Sequence, residues 1–107
     1  MTPSHEDRVR GCLLGLAVAD ALGAPLEFSS ADRASEQVAA GLELTGGGGW
    51  GPGEWTDDTA MALCLAESIA DRGLLDQDDV CARYIAWADS GPKDIGNITR
   101  AALGATS

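Results

Sequence analysis

Thr56–Gly73 reads TDDTAMALCLAESIADRG, and its period decides the fold class. Met61, Cys64, Leu65 and Ile69 recur at spacings of three and four, the repeat of a single helical face. Thr56 stands where an N-cap belongs, and Arg72-Gly73 closes the segment. The spacing predicts a helix over 56–71. The same period recurs on both sides. Upstream, Val9, Leu13 and Leu16, with Cys12 and Ala17, predict a helix over 6–21 that Gly23 and Pro25 stop. A short helix is expected over 31–40, capped by Ser30 and ended by Gly41. Downstream, Asp76 caps a helix over 77–89, with Asp79 three positions on and Val80, Tyr84, Trp87 and Ala88 as its inner face. Gly91-Pro92 ends that helix, and a fifth begins near Asn97 and meets no stop signal before Ser107. No stretch reads convincingly as a strand, so the expected fold class is all-α.

Composition narrows the function classes. The 107 residues hold seven Lys and Arg against seventeen Asp and Glu, a formal net charge of −10. A phosphate backbone would be repelled, so nucleic acid is not an expected partner. A polybasic membrane-surface helix fails on the same ground. No apolar run approaches the roughly 20 residues of a membrane span, because the longest, Cys12–Ala19, is interrupted by Gly15. No membrane partner is expected. Glu6 and Asp7 also spoil the start of a secretory signal, which leaves the cytoplasm as the expected location.

Three cysteines, Cys12, Cys64 and Cys81, lie far apart on apolar helical stretches and are expected as buried free thiols. The single histidine, His5, is near the terminus, so neither a His-based nucleophile pair nor a His/Cys zinc site is well placed. Six of the eight residues Gly46–Gly53 are glycine. This loop is expected as an exposed hinge rather than a nucleotide-phosphate cradle, since no Gly-Lys-Ser/Thr follows.

Oxygen chemistry remains. Asp57 and Asp58 in a helical first turn project about 100° apart and cannot both cap one amide. They either complement the positive end of the helix or reach hard cations, with the hydroxyls of Thr56 or Thr59 adding oxygen ligands. A helix N-terminus is itself electropositive, so a cation there needs further carboxylates, for which Asp20, Glu27 and Asp94 are available. Asp20 falls on the apolar side of its own helix. It either ties a neighbouring turn by hydrogen bonds or belongs to an ion site.

Three stretches in order, RGCLLGLAVADALGAPLEF (Arg10–Phe28), GEWTDDTAMAL (Gly53–Leu63) and GPKDIGNITRAAL (Gly91–Leu103), resemble the ADP-ribosylglycohydrolase family. The resemblance implies an orthogonal multi-helix bundle, of which residues 1–107 would form the N-terminal portion of a single domain. It implies hydrolysis of the bond between ADP-ribose and a protein side chain, or of a related small ADP-ribose substrate. It further implies a two-metal Mg²⁺ centre, with Mn²⁺ as a possible substitute. Carried over by motif, Thr56, Asp57 and Asp58 would be metal ligands, and Glu27 and Asp94 catalytic. Asp94, Ile95, Gly96, Asn97 and Thr99 would meet the substrate. The family's second metal-binding Asp motif has no counterpart here, so impaired activity of these residues alone is expected. The alternative from another class is a non-catalytic, acidic helical remnant or interaction module.

Overall fold

A computed structural model describes residues 2–106 of the chain. It is all-α: α1 His5–Gly23, a 3-10 turn Ala24–Leu26, α2 Ala31–Ala39, α3 Asp57–Arg72, α4 Gln77–Asp89 and α5 Asn97–Thr106. Among the described residues the only β feature is an isolated bridge between Gly47 and Trp50. The chain divides into two compact units, 1–56 and 57–107.

In the first unit, α1 begins one residue earlier than its apolar period indicates, because Ser4 and Asp7 form a reciprocal capping box. The Ser4 Oγ accepts the Asp7 N–H at 3.0 Å, and the Asp7 carboxylate accepts the Ser4 N–H at 3.3 Å. Gly23 and Pro25 do end the α-helix, and the chain tightens into the 3-10 turn. Apolar side chains surround α1: Val9, Leu14, Leu16 and Val18 are exposed, whereas Leu13 and Ala17 of the expected face are half-buried with Asp20, and Ala21 is buried. Two expectations therefore need correction. Cys12 is exposed, not a buried thiol, and Cys64 and Cys81 are half-buried. The continuous helical stretch His5–Leu26 is also long and apolar enough to cross a membrane by length and composition alone, with 11% of its apolar window buried. Gly15 sits inside the helix without breaking it, so the run is not interrupted there.

The glycine-rich loop is a tight turn rather than an open hinge. Gly47 and Trp50 exchange backbone hydrogen bonds of 2.8 and 2.9 Å around Gly48 and Gly49, both at positive φ. That is the backbone pattern of a two-residue hairpin turn, which needs residues without a Cβ penalty. Glu54 then accepts the Gly51 N–H at 2.8 Å through Oε1 and closes the next turn.

In the second unit, α4 starts and stops where its caps predict, with Asp76 accepting the Asp79 N–H at 3.1 Å. It packs on α3 and α5. Val80 is buried and Tyr84, Trp87 and Ala88 are half-buried, but Ile69 of the expected α3 stripe is exposed. Ser68 is fully buried beside it. Its hydroxyl donates to Asp79 Oδ2 at 2.5 Å, and Arg83 Nε donates to the same oxygen at 2.7 Å. Asp79 thus spans the α3–α4 seam instead of closing its own helix cap. Arg83 also reaches Asp71 at 2.9 Å. The Ser68 and Arg83 hydrogen bonds hold the Asp79 carboxyl below its usual range, and Asp79 and Asp71 in turn raise the Arg83 guanidinium.

Candidate active site

Thr56 is held from α1. The Asp20 carboxylate grips Thr56 twice: Oδ2 accepts the backbone N–H at 2.9 Å, and Oδ1 accepts the Oγ1 hydroxyl at 2.8 Å. Asp20 is half-buried and Thr56 is 6% exposed, so both bonds form in a partly desolvated place where a charge-assisted bond is strong. Of the two roles open to Asp20 in the sequence, the tie to a neighbouring turn is the one its geometry displays. It acts as a cap supplied from 36 residues away.

Directly after Thr56, Asp57 and Asp58 open α3, Asp57 half-buried and Asp58 exposed. Thr59, one position on, is buried at 2% exposure. The stretch 56–59 therefore carries two hydroxyls and two carboxylates on consecutive residues. This is an oxygen-only donor set of the kind hard cations take. Among the described residues, no group of three or more His, Cys, Asp and Glu side chains comes together to hold a metal ion.

Glu27 follows the 3-10 turn in the first unit. Its N–H bonds the Ala24 carbonyl at 3.3 Å, and its side chain is exposed. The next residue, Phe28, has φ 68° and a side chain 96% exposed. It is the only non-glycine residue at positive φ among those described. A bulky residue held there is strained and marks an over-determined turn. Its neighbour Pro25 lies beneath the glycine turn: a Cβ at Gly48 would stand 3.4 Å from the Pro25 carbonyl oxygen. The turn that carries Glu27 and the glycine loop are thus packed together.

In the second unit, Asp94 and Ile95 are half-buried in the loop between α4 and α5. Gly96 accepts the Arg100 N–H at 2.8 Å as α5 starts at Asn97. Asn97 is exposed and Thr99, in the first turn, is half-buried. Behind the loop lies a cleft of about 230 Å³ lined by Ile85, Ala88, Ile95, Arg100 and Leu103 among others. The candidate residues thus fall on three local stretches: the turn at 27, the helix start at 56–58, and the loop and helix start at 94–99. The sequence leaves Asp20 between a tie to a neighbouring turn and a place in an ion site. Its position on the inner side of α1 was the signal, and Thr56 as its partner appears only in three dimensions.

The family model described as ADP-ribosylglycohydrolase matches residues 1–107. The chain belongs to the ADP-ribosylglycohydrolase family. Family relatives include an ADP-ribosyl-(dinitrogen reductase) glycohydrolase from Rhodospirillum rubrum, 46% identical over 101 residues that cover 92% of this chain and 34% of the relative. The ADP-ribosylarginine hydrolase Tri1 of Pseudomonas putida (strain GB-1) is 42% identical, covering 96% of this chain and 29% of the relative. Its namesake from Serratia proteamaculans (strain 568) is also 42% identical, over 96% and 30%. The chain spans about a third of the length of the curated family relatives it matches.

Proposed function

We propose that this chain supplies part of a site that hydrolyses the glycosidic bond between ADP-ribose and a protein side chain, or a related small ADP-ribose substrate, in the cytoplasm. The observation that carries the proposal is the Asp20-held Thr56 leading directly into Asp57 and Asp58. Thr56, Asp57 and Asp58 would hold the metal. The oxygen donors of Thr56, Asp57 and Asp58 are of the kind Mg²⁺ takes, and at the positive end of a helix further carboxylates would be needed to complete the site. Mn²⁺ suits the same ligands. When bound, the cations would supply Lewis-acid stabilisation to an oxocarbenium-like transition state.

The remaining roles belong to side chains of this chain. Glu27, exposed on the turn after α1, positions or deprotonates the attacking water. Asp94 orients the ribose, and Ile95, Gly96, Asn97 and Thr99 contact the substrate beside it. The names of the relatives, hydrolases of ADP-ribosylated dinitrogen reductase and of ADP-ribosylarginine, support this substrate kind. A second reading, an acidic interaction module without catalysis, is favoured by the apolar side chains α1 exposes around its circumference.

The test is ADP-ribose release from ADP-ribosyl-arginine and ADP-ribosyl-serine peptides, followed by chromatography with Mg²⁺ or with chelator. Release that requires Mg²⁺ and disappears in Glu27→Gln is the expected result. Release that survives Glu27→Gln, or is indifferent to chelator, overturns the assignment. Binding of a protein partner with no release supports the second reading.

A further inference from the structure

We infer that Asp20 is a positioning residue that prepares the Thr56 hydroxyl as a cation ligand, an inference that rests on the metal-holding role proposed above. An ionised carboxylate only accepts hydrogen bonds, and a hydroxyl has one proton and two lone pairs. The 2.8 Å contact between Thr56 Oγ1 and Asp20 Oδ1 therefore fixes the direction of that bond: the Thr56 proton points at Asp20. The lone pairs of Oγ1 are turned away from the carboxylate, and the charge-assisted bond places added electron density on that oxygen. The second bond, from the Thr56 N–H to Asp20 Oδ2 at 2.9 Å, grips the same residue at its backbone. Nitrogen and hydroxyl of Thr56 are thus both held by one carboxylate, which favours a single side-chain rotamer.

An amide at position 20 would reverse this arrangement while keeping its shape. The Asn carbonyl oxygen would still accept the Thr56 N–H. Its NH₂ group would donate to Oγ1, occupying a lone pair and removing the negative charge. Outer-shell carboxylates of this sort typically contribute 10–100-fold to metal affinity. The experiment is calorimetric titration of the 107-residue chain with Mg²⁺, paired with Mn²⁺ titration read by water-proton relaxation, and a thermal melt in chelator.

Asp20→Asn is expected to weaken both metals by about 10–100-fold while the metal-free melt stays close to that of the wild type. Thr56→Ser is expected to keep the affinity and Thr56→Val to lose it. The double variant Asp20→Asn/Thr56→Val should be no weaker than Thr56→Val alone, since Asp20 acts through the hydroxyl. Wild-type affinity in Asp20→Asn, with metal bound to the wild type, overturns this inference and leaves the metal-holding role standing. Losses that add in the double variant also overturn it, because Asp20 would then bind the cation itself. Absence of metal binding by the wild type overturns both. Should Asp20→Asn fail to fold, Thr56→Val retaining full affinity still refutes the inference.

Discussion

Gly46→Ala tests whether the glycine-rich stretch is a tight turn closed by the Gly47–Trp50 pair. Gly46 has φ +76, and a Cβ there would lie 2.5 Å from the Trp50 carbonyl oxygen, 2.8 Å from the Gly51 carbonyl carbon and 2.9 Å from the Pro52 nitrogen. All three are backbone atoms, so no side chain can swing aside. The turn must open, and the paired Gly47–Trp50 bonds of 2.8 and 2.9 Å go with it. Each such bond is worth about 0.5–1.5 kcal/mol. Left-handed backbone at a residue with a Cβ adds about 1–2 kcal/mol. Against this, alanine restricts the unfolded chain and returns about 0.4–1 kcal/mol.

The net expectation for Gly46→Ala is about 2–4 kcal/mol of destabilisation. Gly49→Ala is the internal control. Its φ of +91 is also positive, but nothing lies within 4 Å of the added carbon. It should cost about 1 kcal/mol, the backbone strain less the unfolded-state gain. Urea unfolding followed by tryptophan fluorescence measures both, and amide exchange at Trp50 localises the damage. Two variants within about 0.5 kcal/mol of each other, the limit within which independent effects are separable, would refute the close backbone approach.

Other substitutions probe the remaining contacts. Asp20→Ala removes both acceptors of the nearly buried Thr56 and should lower unfolding free energy by about 2 kcal/mol, read from urea midpoints; an unchanged midpoint would deny Asp20 its capping part. Asp79 has a folded carboxyl held below its unfolded value by Ser68 and Arg83, so its stabilisation is present above the ordinary carboxylate range and is lost as pH falls through the depressed folded value. Urea midpoints of Asp79→Asn should therefore lie below wild type at neutral pH and converge with it in acid. A constant gap across pH would contradict the linkage. Burial and then the Glu67 charge push the Cys64 thiol up, whereas Cys12 is exposed. Iodoacetamide at mildly alkaline pH should alkylate Cys12 about tenfold faster than Cys64, as peptide mass mapping would report.

Local signals made much of the helical layout legible. Asp76 and Gly91-Pro92 bracket α4, and they work because capping and helix-breaking depend on neighbours in sequence. The Ser4 box was missed because Asp7 fills the position where Glu or Gln is the usual signal. Ser68 was missed for a different reason. A small polar residue reads as solvent-facing, and its complete burial depends on a carboxylate that α4 supplies. The apolar helix around Cys12 points to burial, but an apolar residue is buried only where another element covers it, and Cys12 is exposed. At the candidate site, Thr56, Asp57 and Asp58 stand out as a motif, whereas the part played by Asp20 depends on a contact across 36 residues.

Two readings of Asp57 and Asp58 diverge in one measurement: Mn²⁺ titration of the 107-residue chain by water-proton relaxation, with Mg²⁺ as competitor, for the wild type and for Asp57→Asn/Asp58→Asn. Saturable Mn²⁺ uptake that Mg²⁺ displaces and that the double substitution abolishes is the expected result. Relaxation that is unaltered by the double substitution, with only the helix destabilised, would show that the pair does no more than complement the positive end of α3.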